Sequence, residues 1–310
     1  MGAWGGGLYS NDLASDLRSL VKSVLRLPLD EARILQILCE AEARAANDPT
    51  DEDHTMFWLV VAGQLAKAGV ACPDAFRKAI AIIDGGDDLR LLEARGLSGA
   101  ALRKRAAALQ ELRDQLVNAP TVSKRRKTLQ GPQPYLFELG VIYALPCKGA
   151  ACINPSLGRR NFDGSPWVHD GFRQFVVLER GRAFEHLAWY QAIVSLAAVP
   201  LKPRLEDALA DLWWKLESPA TCSQTTFAAI EIEAVGAAPV DIARAYERFA
   251  RRRREMEFLG WGGRGAAIND VELTNWFVQT IPDRTAAIAK GEPPRDGETI
   301  MRNIADILVL

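Results

Sequence analysis

Residues 119–134 divide this chain into two stretches with different hydrophobic periods. The segment, Ala119-Pro-Thr-Val-Ser-Lys-Arg-Arg-Lys-Thr-Leu-Gln-Gly-Pro-Gln-Pro134, holds three prolines and four consecutive basic residues. Proline fixes φ and removes a backbone donor, so a stretch this rich in it continues neither a helix nor a central strand. It reads as an exposed basic linker. Helical periodicity precedes it, and aromatic and β-branched runs follow it. The expectation is an α+β protein. A helical domain would cover 1–118, the linker 119–134, and an α+β domain with a small antiparallel sheet covered by helices 135–310.

The first part reads as a series of helices. Residues 1–12 combine glycines with Trp4 and Tyr9 ahead of a helix-start signal, a pattern suited to folding back and packing. Asn11 or Asp12 caps a first helix, in which Leu13, Leu17, Leu20, Val21, Val24 and Leu25 recur at helical spacing until Pro28. Asp30 opens a second helix. Thr50 and Asp53 approximate a capping pair before a third, Thr55 to Ala68, which is apolar except for Gln64 and Lys67 and so belongs at the centre of its domain. Pro73 and Gly85-Gly86 bracket a fourth, and Ser98 starts a fifth that runs to about Asn118.

Past the linker, Tyr135 to Leu145 suggests a strand pair or a bulged strand around Gly140. Phe172 to Leu178 and Phe184 to Val199 read as strands joined by a turn at Glu179-Arg-Gly-Arg182, and their short connection favours antiparallel pairing. Gly149 to Gly171 is a long loop, a length usually associated with function or mobility. Pro203 starts an amphipathic helix with Leu205, Ala208, Leu209, Leu212, Trp213 and Leu216 inside. Phe227 to Val235 reads as a strand, Pro239 to about Glu257 as a helix, and Thr299 to Leu308 as the last helix, after another capped at Asn269 or Asp270.

Composition excludes several functions. A net charge of −1 argues against a general nucleic-acid binder, which needs a basic footprint to release counterions. No apolar run approaches the roughly 20 residues that span a bilayer, so no membrane partner is expected. The start of the chain lacks the basic and apolar regions of a signal peptide. Five scattered cysteines form no secreted disulfide framework, so a cytoplasmic location with reduced thiols is the simplest reading.

Candidate chemistry is sparse. The three histidines, His54, His169 and His186, include no pair at the spacing of a helical zinc site. Cys147 and Cys152 with His169 could supply a nucleophile with its base, or part of a zinc site that Cys222 would complete; the alternative is two buried or loop thiols and a solvated imidazole. Gly260, Gly262 and Gly265 match a dinucleotide fingerprint letter by letter, but an arginine-rich helix precedes them instead of a strand, so a helix stop is the better reading. The runs Arg251–Arg254 and Lys124–Lys127 could grip an acidic partner or RNA, or simply be solvated. No cofactor is expected.

Two segments resemble known bacterial families. Trp4-Gly5-x-Gly7-Leu8-Tyr9-x-Asn11-Asp12-x-Ala14-x-Asp16 resembles the start of domain-of-unknown-function family 4259, and Phe57 to Ala62 through Ala79 to Gly86 is similar to its later helices. Leu139 to Pro146 resembles the first strand of the immunity protein 26 family, with Val141 at the place of that family's usual Asp. The resemblance implies a bacterial origin and an association with toxin–immunity loci, and transfers no catalytic residue. The function expected is a non-catalytic protein-binding factor of the immunity or defence type that occludes a partner such as a toxin. Its contact residues would be Trp167, His169, Asp170 and Arg252. The alternative is an enzyme or zinc-binding protein using the loop around Cys147, Cys152 and His169.

Overall fold

The computed structural model describes residues 7–10, 12–149, 151–161, 163–209, 213–217, 219–238, 240–248, 274, 277, 300–302 and 304–308. Two compact units divide the chain after Gly131. The protein is α+β, with a helical N-terminal region followed by an antiparallel curled sheet.

The first unit is built around one helix. In chain order it contains α1 (Asp12–Leu25), α2 (Glu31–Ala41), α3 (Ala43–Asn47), α4 (His54–Lys67), α5 (Pro73–Gly85), α6 (Asp87–Ala94) and α7 (Gly99–Val117). Every residue of α4 from Met56 to Leu65 is buried, because its apolar circumference leaves no face for water. Helices α1, α3, α5, α6 and α7 all pack on it. Its polar groups are satisfied inside: the Trp58 indole N–H donates to Ala46 O at 3.2 Å, and the Gln64 amide donates to the Tyr9 hydroxyl. Tyr9 therefore does pack back onto the helices, and Arg18 lies over its ring at 5.4 Å.

Local signals explain the ends of α2 and α5, whereas Ser98, expected to start α7, makes no side-chain cap bond. Asp30 caps α2 by accepting from Arg33 N at 2.7 Å. Pro73 occupies the first turn of α5, and Gly86 ends it in the left-handed conformation, φ +71°. The acidic run before α4 behaves differently from the capping pair expected. Asp48 accepts from the backbone and hydroxyl of Thr50, Asp51 accepts from Asp53 N, and Asp53 makes no side-chain cap bond.

The basic segment after α7 is not a free linker. Lys124 N donates to Gly69 O and Leu129 N to Arg26 O, both at 2.8 Å, while Ser123 Oγ accepts from Ala71 N at 2.8 Å. The Arg126 guanidinium donates to the carbonyls of Leu25 and Leu29, and so satisfies acceptors left open where α1 ends. Residues 119–131 are a strap on the helical unit, held by backbone groups that composition does not reveal.

The second unit contains, among the described residues, β1 (Val141–Lys148), β2 (Ala151–Cys152), β3 (Gly171–Ala183), β4 (Leu187–Ser195), α8 (Leu205–Ala208), β5 (Trp213–Leu216), β6 (Ala220–Thr221), α9 (Gln224–Ala229), β7 (Glu233–Ala237), α10 (Ile242–Arg248) and β8 (Ile300–Arg302). The sheet order is β2-β1-β3-β4-β5-β8, with β7 also on β1 and β6 also on β4. All pairings are antiparallel.

Both faces of this sheet are covered. One carries Tyr143, Leu145, Phe175, Val177, Tyr190 and Val194, with Phe137 at its centre. The Phe137 ring meets Tyr143, Phe175 and Tyr190 edge-on at 5.1, 5.3 and 4.8 Å. The other carries Ile142, Val176, Leu178, Ile193, Trp214 and Leu216 under Ala208, Ala245, Ile304 and Ile307. All of β4 is buried, which is the signature of a strand covered on both sides.

Several sequence expectations change here. The strand expected over Tyr135 to Leu145 starts only at Val141, after Gly140 at φ +68°. The turn expected at 179–182 lies instead at 184–186, where Phe184 and Glu185 adopt φ +49° and +62°. Gly181 stays in β3 because it faces Trp189, whose indole covers it. The helix expected from Pro203 is a single turn, α8, and Trp213–Leu216 pairs as β5 with the edge of β4. Of the strand expected over Phe227 to Val235, only the end forms, as β7 from Glu233; residues 227–229 belong to α9, capped by Ser223 accepting from Thr226 N at 3.0 Å. The last expected helix is β8 followed by a 3-10 turn, Ile304–Ile307. The glycine cluster 260–265 and the cap at 269–270 lie outside the described residues.

Candidate functional site

The described residues of the loop between β1 and β3 are held by hydrogen bonds within the loop. Hairpin β1–β2 occupies its first part, then a 3-10 turn, Pro155–Leu157, and then a tight reversal closed by the Arg160–Pro166 bridge. Asn161 N donates to Ser165 O at 2.8 Å, and Trp167 N to Arg159 O at 2.9 Å. The Asn161 amide donates to Ser165 Oγ at 2.8 Å and to Pro166 O at 3.0 Å. Asp163 accepts from the Ser165 hydroxyl at 2.6 Å and from Ser165 N at 2.9 Å, and these two bonds hold its carboxyl below the usual range.

The root of the loop is pinned where its two ends meet. Asp170 N donates to Cys147 O at 2.9 Å, and the Asp170 carboxylate accepts from Gly149 N at 3.0 and 3.1 Å. Trp167 packs partly buried against the Phe137 cluster, whereas Val168 is 65% exposed. His169 is exposed, with its ring 5.1 Å from Phe172 and 6.4 Å from Trp167. Phe172 also pairs with Val199, so the segment bearing Leu201, 78% exposed, leaves the sheet beside the end of this loop. Arg159 forms an ion pair with Glu231.

The structure brings Cys147 and Cys152 directly opposite each other in the β1–β2 register. It does not bring His169 to them. Phe172, which His169 touches, pairs with Pro146, and Pro146 and Cys147 point to opposite faces of the same strand. Among the described residues no group of three or more His, Cys, Asp or Glu side chains is placed to hold a metal ion. Burial pushes the Cys152 thiol up to about 11, with the nearby Arg173 charge only partly opposing it. A thiol raised so far is almost wholly protonated at neutral pH and a poor nucleophile. Arg252 and the rest of the 251–254 run lie outside the described residues.

Sequence reading missed the polar groups buried in the sheet. Arg173 is 1% exposed; its Nε donates to Ser195 O at 2.8 Å, and its guanidinium lies 5.1 Å from the Phe277 ring. Burial lowers its pKa, opposed by Glu217 and the two thiols. Gln174 N donates to Ser195 Oγ at 2.9 Å, while the Gln174 side-chain amide is buried with no partner among the described residues. The signal was present: Arg173-Gln174 interrupts an otherwise apolar strand, and a charge in such a run demands an explanation.

No protein-family model matches the chain, and neither does any curated protein or solved structure. The 1–90 and 139–146 resemblances therefore contribute to a proposal and not to an assignment. The second coincides with most of β1, the strand that carries the root of the ordered loop. Among the described residues no helix is long and apolar enough to cross a membrane.

Proposed function

We propose that this chain is a non-catalytic bacterial protein-binding factor of the immunity or defence type, acting in the cytoplasm by occluding a protein partner such as a toxin. The observation that carries the reading is the loop over 149–171. Internal hydrogen bonds fix its shape, and it displays Arg160, Val168 and His169 to solvent. A pre-ordered loop loses little conformational entropy on binding, which favours its use as a contact surface. Trp167 anchors it from beneath, and Asp170 ties its root to the hairpin. The contact is through Val168, His169 and Arg160, with Leu201 at its margin.

The alternative, a thiol enzyme or zinc protein at Cys147, Cys152 and His169, retains one supporting observation, the facing thiols. The placement of His169 and the raised Cys152 thiol weigh against it. Elemental analysis and alkylation of both thiols separate the two readings.

The direct test is co-expression with toxins encoded beside the gene. Neutralisation or co-purification is expected with the native chain, and Val168→Asp with Arg160→Glu should weaken binding at least tenfold without unfolding the protein. If no neighbouring toxin is bound or neutralised, the reading fails.

A further inference from the structure

Cys147 and Cys152 face each other next to a very short turn. Lys148 and Ala151 pair around the connection 149–150, and Gly149 adopts φ +56°, as the first residue of a primed hairpin turn requires. The pair that closes such a turn is hydrogen-bonded, and pairs alternate along an antiparallel ladder, so Cys147–Cys152 is a non-hydrogen-bonded pair. In such pairs the Cα atoms are about 4.5 Å apart and the side chains lean together. Disulfides accept Cα separations of about 4.4–6.8 Å. The register therefore places two cysteines on one face at a backbone separation that a disulfide accepts, without any strand having to slide.

We propose that Cys147 and Cys152 form a reversible intrachain disulfide when the protein meets a small-molecule disulfide oxidant. Cys152 is the half-buried thiol and Cys147 the buried one, so oxidation starts at Cys152. Its thiolate attacks one sulfur of the oxidant, giving a mixed disulfide and releasing one small thiol, which takes up a proton. Cys147, as its thiolate, then attacks the Cys152 sulfur and expels the second small thiol. Two protein thiols lose two electrons and two protons, and the oxidant gains both as two thiols. Burial of Cys152 makes the first step slow at neutral pH, so the rate rises with pH. The bond staples the root of the loop, where Asp170 already binds Cys147 O and Gly149 N. The proposal stands independently of whether that loop binds a partner.

The reduced 310-residue chain is incubated with oxidised glutathione, quenched in acid, alkylated in denaturant and digested with trypsin without reduction. Trypsin cuts after Lys148, so the two cysteines fall on separate peptides, 128–148 and 149–159. The expected result is these peptides joined, two hydrogen masses below their sum, in most molecules, and separated again by dithiothreitol. Cys152→Ser should abolish the joined species, leave Cys147 free for alkylation and retain the far-ultraviolet circular dichroism of the native chain. The proposal is overturned if Cys152 stops at its glutathione adduct in most molecules. It is equally overturned if both cysteines remain alkylatable while an exposed dithiol peptide in the same tube is oxidised, or if Cys147 or Cys152 links preferentially to Cys39, Cys72 or Cys222.

Discussion

Arg105 grips Asp88 through two parallel hydrogen bonds, both 2.8 Å long, at a point where both side chains are out of solvent. The pair joins α6 to α7, and a further bond from Arg105 to Gly7 O at 3.0 Å ties down the segment ahead of α1. Bidentate geometry satisfies most of the polar atoms that burial strips of water.

Breaking one side of this pair leaves a buried charge uncompensated. Asp88→Ala should cost about 3–5 kcal/mol of stability in urea unfolding followed by far-ultraviolet circular dichroism. The double variant Asp88→Leu with Arg105→Met should recover most of that loss, because a well-packed apolar pair is often as stable as the ions it replaces. A double variant no better than the single one would show that the ion pair is itself needed for the fold.

Among the described residues, the Gln174 amide and the Trp214 indole N–H are both buried without partners, and they lie on one face of the sheet. Gln174 pairs with Ala144, and Trp214 pairs with Ser195, whose hydroxyl takes the Gln174 N–H. An unsatisfied buried amide costs about 1–3 kcal/mol. Gln174→Met should therefore leave stability unchanged or raise it by about 1–2 kcal/mol in chemical unfolding. A clear loss would mean that an internal water satisfies the amide.

Gly181 lets the Trp189 indole lie flat across β3. A Cβ there would sit 2.6 Å from the nearest ring carbon. Gly181→Val should displace the ring, cost about 1–3 kcal/mol and shift the tryptophan emission maximum. Unchanged emission together with unchanged stability would contradict the packing described.

Alkaline pH should destabilise the sheet unit. Burial raises the Cys152 thiol from 9.0 to about 11 and the Tyr190 phenol from 10.0 to about 12. Between these values the unfolded chain has released protons that the folded chain keeps, so unfolding free energy falls as pH rises. The contribution is intact below pH 9 and lost progressively to about pH 12, at no more than roughly 1.4 kcal/mol per pH unit and group. Denaturant midpoints measured across this range should decline, and Cys152→Ala should flatten the part between 9 and about 11. A midpoint independent of pH would rule out burial of both groups.

Much of the helical unit was legible in the sequence because its signals are local. The apolar circumference of residues 56–65, the Asp30 cap, and Pro73 with Gly86 each act within a turn or two of where they stand. In the sheet unit the apolar faces were legible but not always the backbone that carries them. Ile230 and Ile232 lie in one core, as alternate residues of the expected strand would, yet Ile230 caps a helix and Glu231 turns with φ +56°. Of the candidate site, the two cysteines and the loop could be found from their positions. Their register, and the diversion of His169 toward Phe172, could not.

The sequence by itself determined where the chain changes character, five of the seven helices before that point (α3 and α6 were not read from it), and that an antiparallel sheet follows. Tertiary structure decided the rest, because the decisive partners are distant in the chain. Trp213–Leu216 fits a helical stripe, but the open edge of β4 offers it backbone hydrogen bonds and buries Trp214 and Leu216 on one face. The segment 119–131 looks solvated until Gly69 and Arg26 supply acceptors for its N–H groups. Gly181 looks like a turn until a tryptophan eight residues later needs room above it. Period and capping are properties of neighbours, whereas an unpaired strand edge or an open carbonyl exists only once another part of the chain has folded.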